Sequence, residues 1–284
     1  MKIGSWCLPK QTNPIIQEGV ITLVPRVVVE PESVCPGKEF SGVLRIVSTF
    51  KGPDGSWKCE GTAFAVGKFH VLTAGHMMWH QKLGPAQSAV LYTDTRSGTI
   101  TEGIECVAVA VHAEWIKCYQ PENDFCMIAI AQGFNSGIRL LQLGVAPSYP
   151  NVGRLLGFPS DLSVTSRGNE LIECQGPVRS RENNAGIILI HKVNTSGGSS
   201  GSPFFVEGKV VAVHSSFNRN KMENYAVPIG QNGNNVAQFQ NVLRYMTCRG
   251  LKLSDAALYL GEVTYEDYCK QKILGFGSLP ASGS

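Results

Sequence analysis

The chain has 284 residues, 43% hydrophobic and 17% charged, with a formal net charge of +3. That length supports one large core or two smaller β-barrels sharing an interface. The near-balanced charge, with no Lys/Arg run, gives no electrostatic footprint for nucleic acid; no apolar run approaches the ~20 residues of a membrane span, so neither is expected as a partner.

The opening segment, Met1-Lys-Ile-Gly-Ser-Trp-Cys-Leu-Pro-Lys10, lacks the roughly 7–15-residue apolar stretch of a secretory signal. An intracellular chain and a secreted chain whose signal has been removed both stay open. Short apolar, β-branched runs follow at Gly42–Val47, Phe69–Leu72, Ala89–Tyr92, Gly186–His191 and Lys209–Val213, separated by Gly, Pro and Asn. Such punctuation predicts an all-β sandwich or barrel. Asn135-Ser-Gly137 and Pro147-Ser-Tyr-Pro150 break the pattern and place a boundary near 135–150. The expected organisation is an N-terminal segment 1–40, a first β unit 41–140, a second 141–247 and an extension 248–284. Val236, Phe239, Val242, Leu243 and Met246 recur at helical spacing and predict a helix over 234–247. A second helix is expected over Asp255 to Lys272, with Ser254 as N-cap and Gly275 past its end, before a flexible tail. Nine cysteines leave at least one unpaired within the chain, and no C-x-x-C occurs, so no structural zinc or other metal is expected. No cofactor is expected either.

Chemistry concentrates in Thr195-Ser-Gly-Gly-Ser-Ser-Gly-Ser-Pro203, which leads into the apolar run Phe204-Phe-Val206. Serine is a poor nucleophile unless a base takes its proton and N–H groups receive the oxyanion. A glycine-rich turn supplies such N–H groups. Upstream stand Thr73-Ala-Gly-His76 and Asn123-Asp124, in the order His, Asp, Ser of one protease architecture. Gly197-Gly-Ser199-Ser-Gly201 also fits a G-x-S-x-G nucleophile elbow, but that fold needs an acid and then a histidine downstream, with a helix directly after the elbow. After Ser199 only Glu207 precedes the single remaining histidine, His214, and Pro203-Phe-Phe-Val206 reads as a strand. The elbow is rejected. A flexible Gly/Ser linker fits poorly between strand-like flanks. His80 and His112 are alternative bases; His112 reads better as a partly buried structural residue.

Gly198-Ser-Ser-Gly-Ser-Pro203, Thr73-Ala-Gly-His76 and Asn123-Asp-Phe-Cys-Met-Ile-Ala129 resemble the three motifs of chymotrypsin-fold serine peptidases, and most closely the glutamyl endopeptidase branch. Gly157-Phe-Pro159 resembles a turn of that branch; the likeness covers about residues 40–246. The resemblance implies two antiparallel six-stranded β-barrels followed by C-terminal helices. It implies Ser200 as nucleophile, His76 as base, Asp124 as its orienting acid, and the N–H groups of Gly198 and Ser200 as the oxyanion hole. His76 and Asp124 then belong to the first barrel and Ser200 to the second, so the site lies in the cleft between them. Thr195 and His214 occupy the places of the acid-recognising pair, where a protonated imidazole would add charge assistance; Ser215 adds a weaker pocket contact. Asn194 stands where tryptic members carry aspartate. The implied reaction is peptide hydrolysis after Glu, with Asp or Gln weaker, by a secreted monomer acting on acidic peptides or proteins. Some viral relatives use a similar Thr/His pair to read glutamine. Two positions depart from the pattern. Ser199 replaces the aspartate that pairs with a newly cut N-terminus in zymogens, so that ion pair is not expected to operate. Met77 replaces a cysteine, which leaves Cys59 without its usual partner. An inactive binding module and a protease that cuts itself from a larger precursor remain alternatives.

Overall fold

A computed structural model of the chain describes residues 2–7, 25–94, 103–162, 170–248 and 263–264. Six strands close a first barrel: β3 (Val43–Gly52), β4 (Gly55–Gly67), β5 (His70–Thr73), β8 (Ser88–Tyr92), β9 (Ile104–His112) and β10 (Cys126–Ile130). Their order is β10-β5-β4-β3-β8-β9, and β9 pairs back onto β10. All pairings are antiparallel. A short hairpin, β6 (Trp79–His80) with β7 (Gly84–Pro85), lies between β5 and β8. Six more strands close a second barrel: β11 (Asn151–Gly157), β12 (Ile172–Asn183), β13 (Gly186–His191), β14 (Pro203–Val206), β15 (Lys209–Asn218) and β16 (Glu223–Pro228). Here the order is β11-β14-β15-β16-β13-β12, with β12 pairing back onto β11. Closure removes the open sheet edges that would otherwise be sites of association.

The N-terminal region is shared between the barrels. Strand β1 (Lys2–Cys7) lies along β9, and β2 (Val27–Val28) adds to β12. A four-residue helix, α1 (Pro31–Val34), then leads into β3. Two further helices are α2 (Ala113–Cys118), before the Asp124 turn, and α3 (Val236–Cys248), after the second barrel.

Helix α3 starts where the Asn235 side chain accepts from the N–H groups of Ala237 and Gln238, a cap that satisfies two otherwise orphaned donors. Its Phe239, Val242 and Leu243 are fully buried. Phe239 meets Phe125 edge-on at 5.1 Å, so the helix leaves the second barrel and packs against the first. The expected second helix differs from what is seen at Val263–Thr264, which form strand β17 beside β1. Backbone pairing with β1 supersedes the helical spacing there; the rest of 255–272 lies outside the described residues. No described helix is long and apolar enough to cross a membrane.

Candidate active site

His76 lies in a single 3-10 turn, Gly75–Met77, directly after β5. Asp124 follows a similar turn, Pro121–Asn123, and leads into β10. Because β5 and β10 are paired neighbours, the two turns emerge at the same barrel end. His76 Nδ1 lies 2.7 Å from Asp124 Oδ2, and the His76 backbone N–H donates to Oδ1 at 2.7 Å. Gly75 permits this approach: a Cβ there would lie 3.0 Å from Asp124 Oδ1 and 2.9 Å from the Trp115 ring. The Asp124 side chain is 1% exposed and that of His76 19%. Burial alone would raise the Asp124 carboxyl. The His76 charge, with hydrogen bonds from His76 and Ser215, outweighs burial and holds it below its ordinary value.

Turn 121–123 is held from the other barrel. Asn232 and Asn234 both donate to the Glu122 carbonyl, and Asn123 donates to the Asn232 carbonyl. His112 caps α2 by accepting from the Glu114 N–H, and its Nε2 meets Asn123 at 3.2 Å. Burial pushes its pKa down to about 4, against a backbone hydrogen bond with Asn232. Both of its ring nitrogens are thus engaged in holding the Asp124 turn and the start of α2. His80 Nδ1 is likewise occupied, by the N–H groups of Lys82 and Leu83.

Ser200 lies in the tight turns between β13 and β14. Its Oγ donates to the Ser215 carbonyl at 3.2 Å, and Ser215 Oγ donates to Asp124 Oδ2 at 2.5 Å. Ser215 thus links the serine loop to the carboxylate. Its side chain is turned to the carboxylate, a strong acceptor, and also lies 3.3 Å from Ser216 Oγ. Gly198 takes φ +86°, and a Cβ on it would sit 2.2 Å from the Phe158 carbonyl. The Gly157-Phe-Pro159 turn therefore packs directly against the glycine turn. The Gly197 carbonyl accepts from Ser160 N at 2.6 Å. In a planar trans peptide the next N–H, that of Gly198, points the opposite way. The Ser199 carbonyl accepts from Ser202 N, which orients the Ser200 N–H by the same rule.

Thr62 of β4 joins the barrels. Its N–H donates to the Ser200 carbonyl at 2.8 Å, its Oγ1 donates to the Gly198 carbonyl at 2.8 Å, and Oγ1 accepts from Phe158 N at 3.0 Å. Beside it, a Cβ on Gly61 would lie 2.9 Å from the Ser200 carbonyl and 2.6 Å from Met77 Sδ. Met77 Sδ also lies 3.8 Å from the Cys59 thiol, so the departure at Met77 gives a sulfur–sulfur contact.

His214 of β15 is buried and its Nδ1 lies 3.1 Å from Nε2 of His191 on β13. His191 Nδ1 is buried with no hydrogen-bond partner among the described residues. A single N–H joins the two rings, so one imidazole donates and the other accepts. Burial, reinforced by the His76 charge, pushes His214 down to about 3, against a backbone hydrogen bond with Tyr225 and the Asp124 charge. Both rings are thus driven toward the neutral form. His191 carried no motif; it ends a strand whose last four residues are all buried. Thr195 Oγ1 lies 2.9 Å from Asn224 Oδ1, and Asn224 Nδ2 donates to the Val193 carbonyl at 2.7 Å. The carbonyl can only accept, which fixes the amide orientation and makes the Thr195 hydroxyl the donor to Asn224. Asn194 accepts from Arg26 at 3.0 Å. Among the described residues no group of His, Cys, Asp or Glu is arranged to hold a metal.

A family model described as a trypsin-like peptidase domain matches residues 61–213. Solved structures share the fold. A Glu endopeptidase in complex with MPD is 18% identical, with a TM-score of 0.63, over 81% of this chain and 100% of its own. The thermostable serine protease AL20, from an extremophilic microorganism, is 18% identical with a TM-score of 0.53, over 70% of this chain and 93% of its own. Protease Anisep of Arthrobacter nicotinovorans is 17% identical with a TM-score of 0.52, over 66% and 89% respectively. No curated protein matches the chain. Two closed six-stranded barrels, with a family match that runs from β4 of the first into β15 of the second, place this chain among the trypsin-like peptidases of the chymotrypsin fold.

Proposed function

We propose that the protein is a serine endopeptidase in which Ser200 attacks the scissile carbonyl, His76 takes its proton and returns it to the leaving amine, and Asp124 orients and stabilises the imidazolium. The reaction passes through an acyl-enzyme that water then hydrolyses. The observation that carries this reading is the 2.7 Å contact between His76 Nδ1 and buried Asp124, tied through Ser215 to the Ser200 loop. The N–H groups of Gly198 and Ser200 form the oxyanion hole in this mechanism. The orientations imposed by the Gly197 and Ser199 carbonyl bonds support that assignment.

The substrate residue before the cut bond is Glu, with Gln the nearest competitor and Asp weaker. Thr195 and His214 read its terminal oxygens. A neutral His214 offers one N–H, which suits a carboxylate or a carboxamide. The Thr195 hydroxyl must turn from Asn224 to donate to a carboxylate, whereas it can accept from a carboxamide without turning. Both features narrow the margin of Glu over Gln.

A fluorophosphonate probe tests the chemistry: the intact protein labels at Ser200 and Ser200→Ala does not. Failure of the intact protein to label would leave an inactive binding module. A peptide-library digest with the Ser200→Ala control tests the specificity, and preference for Arg, Lys or large apolar residues before the cut would overturn the pocket assignment.

A further inference from the structure

The turns carrying Ser200 are held on one side by Thr62, through the Ser200 and Gly198 carbonyls. Their other side, residues 194–197, is held by groups far away in sequence. Arg26 precedes β2, whose pairing with Ile172 and Glu173, together with Val29 N donating to the Leu171 carbonyl, fixes the path of the chain there. The Arg26 guanidinium donates to Asp161 at 2.5 Å and to Asn194 Oδ1 at 3.0 Å. Asp161 Oδ1 accepts from the Ser196 hydroxyl at 2.5 Å. Ser160, next to Asp161, holds the Gly197 carbonyl through its N–H. The Arg26 side chain is only 12% exposed. Burial raises the Asp161 carboxyl, but the Ser196 hydroxyl and Arg26 outweigh it and keep it below its ordinary value.

Two glycines in succession, Gly197 and Gly198, make the peptide between them easy to rotate. Its orientation decides whether the Gly198 N–H faces the oxyanion position. The bond from Ser160 sets that orientation, and the Arg26–Asp161 pair with Ser196 fixes the 160–161 turn that supplies it. Ser199 cannot form the ion pair with a new N-terminus that shapes this loop in zymogens.

We propose that Arg26 is a positioning residue: its ion pair with Asp161 locks the 194–198 segment from behind and holds the oxyanion hole in its working shape, inside one uncut chain. This rests on the serine peptidase reading above. The lock adds no group to the reacting atoms. It acts through Ser196 and the Gly197–Gly198 peptide, so it bears on the rate of bond making at Ser200 more than on substrate binding.

The test compares the phosphonylation rate at Ser200, and separately kcat and KM on a Glu peptide, among the intact protein, Arg26→Met, Asp161→Asn and the double variant. Each single variant is expected to label about 10- to 100-fold more slowly, with the loss in kcat and KM little changed. Because the pair acts as a unit, the double variant is expected to be no slower than either single one. Millimolar methylguanidinium is expected to restore part of the rate to Arg26→Gly. Equal labelling of Arg26→Met and the unchanged protein would overturn the lock, as would losses that multiply in the double variant. Should Arg26→Met fail to fold, Arg26→Lys keeps a charge without the fork that spans Asp161 and Asn194. An intermediate rate in that variant supports the lock and an unchanged rate overturns it. Absence of label on the unchanged protein would overturn the peptidase reading itself, an outcome distinct from a lock that fails while the unchanged protein labels.

Discussion

Each barrel carries one polar pair built around histidine, and the two pairs are opposite in character. In the first barrel His76 faces a buried carboxylate and keeps a 19% exposed side chain. In the second barrel His214 faces another histidine, both rings are buried, and both are driven toward neutrality. In the proposed mechanism the same side chain carries a proton beside Asp124 and reads the substrate, neutral, beside His191. Burial decides the second case because, among the described residues, no carboxylate hydrogen-bonds either ring to repay the desolvation of a charged form.

The sharpest way to break this contrast is to remove the charge of the first pair. Asp124→Asn is expected to lower kcat/KM by about 10⁴-fold, since an amide supports the wrong imidazole tautomer. A loss below tenfold, measured on a Glu peptide, would end the distinction. Removing the second pair's donor acts on specificity alone. His214→Ala is expected to lower kcat/KM for Glu and Gln peptides on the order of 100-fold while fluorophosphonate labelling stays within about threefold. Equal loss in both assays would show that His214 serves the chemistry instead. His191→Leu keeps His214 and removes only the ring that meets its Nδ1. A loss of about tenfold for Glu peptides is expected, the size of one hydrogen bond; an unchanged value would show that His191 does not orient His214.

The smallest effect concerns stability. His214 falls from 6.5 to about 3 and His112 from 6.5 to about 4 on folding, while His191 falls well below 6.5. The unfolded chain therefore binds more protons between these folded values and 6.5. The stability from keeping these rings neutral is fully present above 6.5 and is lost as pH falls through that window. The melting temperature is expected to drop from pH 7 to pH 4, and His191→Leu is expected to make that drop shallower. A steeper drop in this variant would contradict the sign.

The strands were legible where apolar runs are unbroken. Gly186–His191 is found with the expected bounds because every residue of Ile187-Ile-Leu-Ile190 pairs in the ladder with β12. Lys209–Val213 continues to Asn218 because β15 passes Ser215 through a bulge, a continuation that polar residues hide. His76, Asp124 and Ser200 were legible because each sits in a short motif fixed by turn geometry. Arg26 and Asp161 were not, since the pair spans 135 residues with no local pattern on either side. His191 reads as one more strand residue until the fold places it against His214. The bond from Ser215 to Asp124 was not legible, because it depends on which way a single hydroxyl turns.

Thr62 and its neighbour Gly61 have a consequence for how such a molecule can change. The barrels meet there backbone to backbone: a Cβ on Gly201 would sit 2.0 Å from the Thr62 carbonyl, and one on Gly61 2.9 Å from the Ser200 carbonyl. The two halves are therefore not interchangeable modules. A barrel transplanted from a relative must bring a hydroxyl at position 62 and a bare backbone at 61 and 201, or the seam opens at the nucleophile.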